Sequence, residues 1–125
     1  MTSKRVLSVG QCGADHGKIV RTLLPFNVDI VPAATTAEAL AQLREKPFAL
    51  VLVNRVYDAD GSSGMELVRQ IKGDVALLGV PVMLVSNHDD AQKEAVQAGA
   101  VPGFGKSALY GPLVAERVRP FLAEC

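Results

Sequence analysis

The sequence predicts an α/β domain: a single doubly wound, open sheet of five parallel strands. Three observations carry that expectation. Short apolar runs of strand length alternate along the chain with segments whose apolar residues recur at helical spacing. Helix-start signals, glycines and prolines cluster at the boundaries between the two kinds of segment. The chain has 125 residues, which suits one domain of five β/α units joined by right-handed crossovers.

The first apolar run, residues 6–9, is strand length and stops at Gly10. Ile19, Val20, Leu23 and Leu24 then lie on one face of a helix that Pro25 ends. Residues 28–31 supply the second strand. Thr35 and Glu38 fit a capping box, in which a hydroxyl takes an amide of the first turn and the carboxylate takes the cap's own amide. Leu40 and Leu43 give that second helix its apolar face, and Pro47 breaks it. The third strand, 48–53, ends at Asn54; Ser63 and Glu66 repeat the capping box before Leu67, Val68 and Ile71. The fourth strand covers 80–85. A fourth helix runs over 90–98, with Asp89 or Asp90 at its cap and Gly99 as its stop. The fifth starts at Pro112, a favoured first helical position, and reaches Leu122, with Pro120 distorting its last turn. The fifth strand, 100–105, carries the least β signal, because Pro102 lacks a donor and Gly103 and Gly105 flank Phe104. An edge position tolerates all three.

With strand order 2-1-3-4-5, ligands are expected beyond the carboxyl ends of the strands, where the order reverses. Gly10 to Gly13 should therefore face Asn54 to Gly61 across the site. Charge narrows the function classes: 13 basic and 13 acidic residues leave no electrostatic footprint for nucleic acid or an anionic membrane. The longest apolar stretch, 75–85, contains Gly79 and Pro81 and is too short to span a bilayer, and no charged-then-apolar leader opens the sequence. Cys12 and Cys125 make neither a disulfide framework nor a zinc motif. The expectation is a soluble, cytoplasmic protein without a cofactor.

Four stretches, KRVLSVGQCGADHGKIVRTLL, FALVLVNRVYDADGSSGMELVRQIK, VPVMLVSN and AGAVPGFGKS, together resemble the receiver domain of bacterial two-component response regulators over nearly the whole chain. The resemblance implies a flavodoxin-like fold. It also implies an acidic pair after the first strand and an aspartate after the third, which hold magnesium while the aspartate takes a phosphoryl group from a histidine kinase. Matched residue by residue, the acidic pair falls on Gly10 and Gln11 and the phosphoacceptor on Asn54. The hydroxyl that contacts the phosphoryl group falls on Ser86 and its lysine on Lys106; both are kept. The aromatic switch position is Gly103, and Ser107 replaces the proline after the lysine. The loop after Asn54 is two residues longer, since the glycine opening the third helix lands at Gly64.

Magnesium dehydrates reluctantly and is usually held by carboxylates, which Gly10, Gln11 and Asn54 do not offer. A side-chain amide is also a feeble nucleophile, so ordinary aspartyl phosphorylation is expected to fail. Lys106 is left to hydrogen-bond Asn54 and Ser86, hold water, or turn outward, because a buried unpaired ammonium is costly; a fixed polar contact is the expected outcome. On their own, Asn54 and Ser86 also read as strand-end polar groups and Lys106 as a surface lysine.

Other motifs carry less. AVPGFGKS fits a relaxed phosphate-loop pattern, but Gly111 and Pro112 interrupt the helix that such a loop requires. Residues 13–18, GADHGK, resemble part of the cobalamin-binding D-x-H-x-x-G loop with the wrong spacing. Asp15, His16, His88, Asp89 and Asp90 share one edge with Asp58 and Asp60, where a transition-metal site can be drawn, although caps and turns explain most of them. Asp58 or Asp60 could also swing inward as a substitute acceptor. Cys12 is by default a small loop residue. The resulting expectation is a pseudo-receiver that is not an enzyme and that signals by binding a protein partner. The contact surface implied by the resemblance is the fourth helix, fifth strand and fifth helix, with monomer and homodimer both open. The alternative is a small-molecule or anion-binding module, nucleotide- or cobalamin-like, that uses Lys18, Arg55 and Lys106.

Overall fold

Strand alternation places Leu7, Val9, Val51, Val53, Val82 and Leu84 on one face of the sheet and Val6, Leu50, Leu52, Met83 and Val85 on the other. Both faces need cover. In the computed structural model, which describes residues 4–109 and 111–122, that cover comes from five α-helices. The strands are β1 (Arg5–Val9), β2 (Asp29–Ala33), β3 (Leu50–Asn54) and β4 (Val82–Val85). The helices are α1 (Gly13–Leu23), α2 (Thr36–Glu45), α3 (Gly64–Lys72), α4 (Asp89–Gln97) and α5 (Pro112–Leu122), with single 3-10 turns at Leu24–Phe26 and Lys106–Ala108. Residues of α2, α3 and α4 pack on the first face; those of α1 and α5, including Ile19, Leu23, Val114 and Val118, pack on the second. Cys125 lies outside the described residues.

The sheet is parallel throughout, in the order β2-β1-β3-β4. Every residue of β3 and β4 is buried, whereas β2 exposes Asp29 and Pro32, as an edge strand may. The predicted fifth strand is not formed. Residues 100–105 follow the free edge of β4: Val101 N donates to Val82 O at 2.9 Å, Ser86 N donates to Phe104 O at 3.0 Å, and Val85 and Phe104 make one isolated parallel bridge. Between those contacts Pro102 has no amide to give. Gly103 approaches so closely that a Cβ on it would overlap the Leu84 carbonyl oxygen. The segment occupies the fifth-strand position without a ladder, so four strands stand where five were expected.

Most termini follow the sequence signals. Thr35 Oγ1 accepts from Glu38 N while Glu38 Oε2 accepts from Thr35 N and Ala34 N, a complete capping box with one further amide. The second box is incomplete: Ser63 Oγ accepts from Met65 N, and the Glu66 carboxylate turns along its own helix to Gln70. At α4 the cap is His88, whose side chain makes no capping hydrogen bond and lies instead 3.5 Å from Arg55 through Nε2; Asp89 and Asp90 sit in the first turn, where the positive end of the helix favours them. Cys12 caps α1, its Sγ accepting from Asp15 N. Helix α5 continues through Pro120 to Leu122, held by the burial of Val118 and Leu122.

Candidate functional site

The carboxyl ends of β1 and β3 meet at Gly10. Its φ of +74° turns the chain out of the strand, its amide donates to Ala33 O at 2.8 Å, and its carbonyl accepts from both Asn54 Nδ2 (2.9 Å) and Asp58 N (3.0 Å). The two loops expected to face each other are thus joined by hydrogen bonds. Asn54 is buried, with its amide nitrogen engaged on backbone. Gln11 points both side-chain amide atoms into shielded space, without a hydrogen-bond partner among the described residues.

Tyr57 lies behind this junction. It is 1% exposed, in a loop whose next three residues are all exposed. Its hydroxyl lies 2.8 Å from Thr36 Oγ1, and burial pushes the phenol above its ordinary pKa.

Ser86 and Lys106 border a cavity of about 230 Å³ with Asn54, Arg55 and His88, and no carboxylate lines it. The buried Ser86 hydroxyl accepts from His88 N at 3.1 Å, shaping the turn into α4. Lys106 does not bond Asn54 or Ser86: its Nζ pairs with Asp15 Oδ2 at 2.9 Å. A charge-assisted partner from the first turn of α1 outcompetes a neutral amide and hydroxyl. The hydrogen bond from Lys106 in turn holds the Asp15 carboxyl below the usual range, against the opposing effect of burial.

The remaining candidates disperse. Asp58 and Asp60 are exposed and do not line the cavity; Asp60 Oδ1 accepts from Ser62 N, which pulls its pKa down. His16 Nδ1 lies 3.3 Å from Ser8 Oγ. No group of three or more His, Cys, Asp or Glu among the described residues could hold a metal ion. The G-K-S sequence enters only a single 3-10 turn, and α5 begins later, at Pro112.

Two side chains that the sequence did not single out organise the other end of the site. Gln92 of α4 donates from Nε2 to Leu84 O (2.8 Å), Ser86 O (3.1 Å) and Phe104 O (3.3 Å), beside Gly103. Asn87 Oδ1 accepts from Ser107 N and Oγ. Together they tie α4 and the β4 edge to the segment carrying Lys106. For Tyr57 a signal existed, an aromatic residue in an otherwise polar loop; for Gln92 and Asn87 there was none.

Comparison of the whole architecture with solved structures is decisive for the fold. A protein assigned as a response regulator from Chloroflexus aurantiacus superposes with a TM-score of 0.86 at 18% identity, covering 98% of this chain and 100% of that one. The fold is the receiver fold. A signal receiver domain of a signal transduction histidine kinase from Syntrophus aciditrophicus matches this receiver fold with a TM-score of 0.79 at 19% identity, over 96% and 90% of the two chains. The Mn²⁺-bound form of response regulator Rcp1 matches with a TM-score of 0.77 at 18% identity, over 98% and 96%. No protein-family model and no curated protein matches the sequence. No helix among the described residues of this receiver fold is long and apolar enough to cross a membrane.

Proposed function

We propose that this chain is a pseudo-receiver, a cytoplasmic signalling module that works by binding a protein partner, without catalysis and without an aspartyl phosphorylation switch. The observation that carries the reading is the state of Asn54: an amide stands at the end of β3 in place of a carboxylate, and its nitrogen is hydrogen-bonded to the Gly10 carbonyl. Gly10, Gln11 and Asn54 offer a metal no carboxylate, and an amide at residue 54 is no competent phosphoryl acceptor. The face expected to meet a partner is formed by α4, residues 100–105 and α5. It carries a groove of about 620 Å³, flanked by the exposed side chains of Val96 and Leu113.

Incubation with Mg²⁺ and a small acyl phosphate, followed by intact-mass measurement, tests the reading. The mass should not change. A stoichiometric phosphoaspartate would defeat it, and peptide mapping to Asp58 or Asp60 would name the replacement acceptor.

A second reading, oxyanion binding, is favoured by the same carboxylate-free cavity with Arg55, His88 and Lys106 on its wall. A ligand that binds only the folded state raises the melting temperature in proportion to its occupancy. Inorganic phosphate titrated against chloride at matched ionic strength should leave the melting temperature unchanged under the first reading and raise it under the second.

A further inference from the structure

Missing charge is not the only barrier to a cation at the β1–β3 edge. A Cβ placed on Gly10 would overlap Cδ1 of Tyr57 and stand 2.9 Å from both Cγ and Cε1. The ring has no easy way to retreat. It packs within the same core cluster as Val9, Ala33 and Met65, and its hydroxyl is held by Thr36 of α2. Its backbone is pinned as well: Tyr57 N donates to Ser62 O at 2.8 Å, and Tyr57 O accepts from Gly61 N at 2.8 Å. The following amide, Asp58 N, bonds back to Gly10 O, so the loop and the glycine are fixed to each other.

We propose that Tyr57 blocks residue 10: its ring fills the volume that any side chain there would need, closing the β1–β3 edge to a metal-binding side chain sterically as well as electrically. The proposal rests on the pseudo-receiver reading of Gly10, Gln11 and Asn54. Its consequence is specific. Restoring carboxylates alone does not restore a metal site, because the aspartate at residue 10 and the phenol ring exclude each other.

Two glycines supply an internal control for the steric part. Gly10 has φ +74° and Gly61 has φ +73°, but nothing lies within 4 Å of a Cβ on Gly61. Gly61→Ala reports the backbone penalty alone, and Gly10→Ala reports that penalty plus the ring. In thermal unfolding Gly10→Ala should lower the melting temperature at least twice as far as Gly61→Ala; equal shifts would overturn the proposal. This comparison requires no change at Tyr57.

The functional part is read by Mn²⁺ titration, with free metal counted by electron paramagnetic resonance. The triple variant Gly10→Asp, Gln11→Asp, Asn54→Asp should bind Mn²⁺ at least tenfold more weakly than the same variant carrying Tyr57→Ala. Equal affinity would overturn the proposal. Mn²⁺ held by the unmodified chain would instead defeat the pseudo-receiver reading, so the two failures are distinguishable.

Discussion

Lys106 shows how one side chain can be predicted in its place and missed in its partner. Its expected place beside Ser86 came from the resemblance to receiver domains, because on local sequence alone the two read as a surface lysine and a strand-end hydroxyl. The partner was not legible, because Asp15 reaches it from a helix that only the fold brings near. The Asp15 carboxyl is held below its unperturbed value of 3.8, principally by the hydrogen bond from Lys106. A depressed carboxylate pKa contributes stability above the unfolded value and loses it as pH falls through the folded value. At pH 7, Asp15→Asn should therefore be less stable than the parent, by roughly 1 kcal/mol for a pair that is still partly open to solvent. The difference should shrink below pH 3.8 and vanish in strong acid; thermal melts from pH 2 to 7 check it, and a constant gap would mean the pair contributes nothing electrostatic. Tyr57 titrates with the opposite sign. Its pKa is raised from 10.0, mainly by burial, so the stability tied to the neutral phenol is complete below pH 10 and is lost as pH rises through the folded value. Phenolate absorbance should show one tyrosine ionising later than the ordinary range while the chain stays folded, and Tyr57→Phe should remove that late step.

At the scale of elements, the legible signals were those that act within a few residues. The apolar runs marked β1, β3 and β4 because a strand buried on both faces is apolar at nearly every buried position, Ser8 and Asn54 being the exceptions. The Thr35–Glu38 pair marked the start of α2 because both halves of the box lie within four residues. Thr35→Ala should cost about 1 kcal/mol, the usual worth of a hydroxyl cap. Chemical denaturation checks it; a loss below a few tenths would mean that water replaces the hydroxyl. Two signals failed, one to a competitor in the same helix and one to a distant neighbour. Ser63 and Glu66 have the same spacing, yet Glu66 lies beside Gln70 and the box is only half made. Residues 100–105 have the composition of an edge strand, but whether they ladder is decided by how near Gly103 comes to Leu84, which no local pattern records.

At the scale of the molecule, the question is whether the Asn54 edge communicates with the α4 face. An aromatic switch would need a ring at residue 103 and room for it to move; Gly103 provides neither, and its closest surroundings are the Leu84 backbone and Gln92 Oε1. The Gln92 amide instead bonds three carbonyls from two segments, fixing α4 against β4 and Phe104. Coupling between two sites requires an element with two arrangements that both sites bias, and this clamp holds one. Asn54→Ala should therefore lower stability, by leaving the Gly10 carbonyl with one donor fewer, while leaving nearly unchanged the affinity for a partner at the proposed α4 face. The clamp itself can be released. Gln92→Ala takes a donor from three partly buried carbonyls and should destabilise the chain by about 1–3 kcal/mol. Its more telling effect is on motion: millisecond relaxation dispersion at α4 and residues 100–105, flat in the parent, should appear in Gln92→Ala and stay absent from α1. Dispersion already present in the parent at these positions would show that α4 samples a second arrangement despite the clamp, and the module would then retain the means to switch.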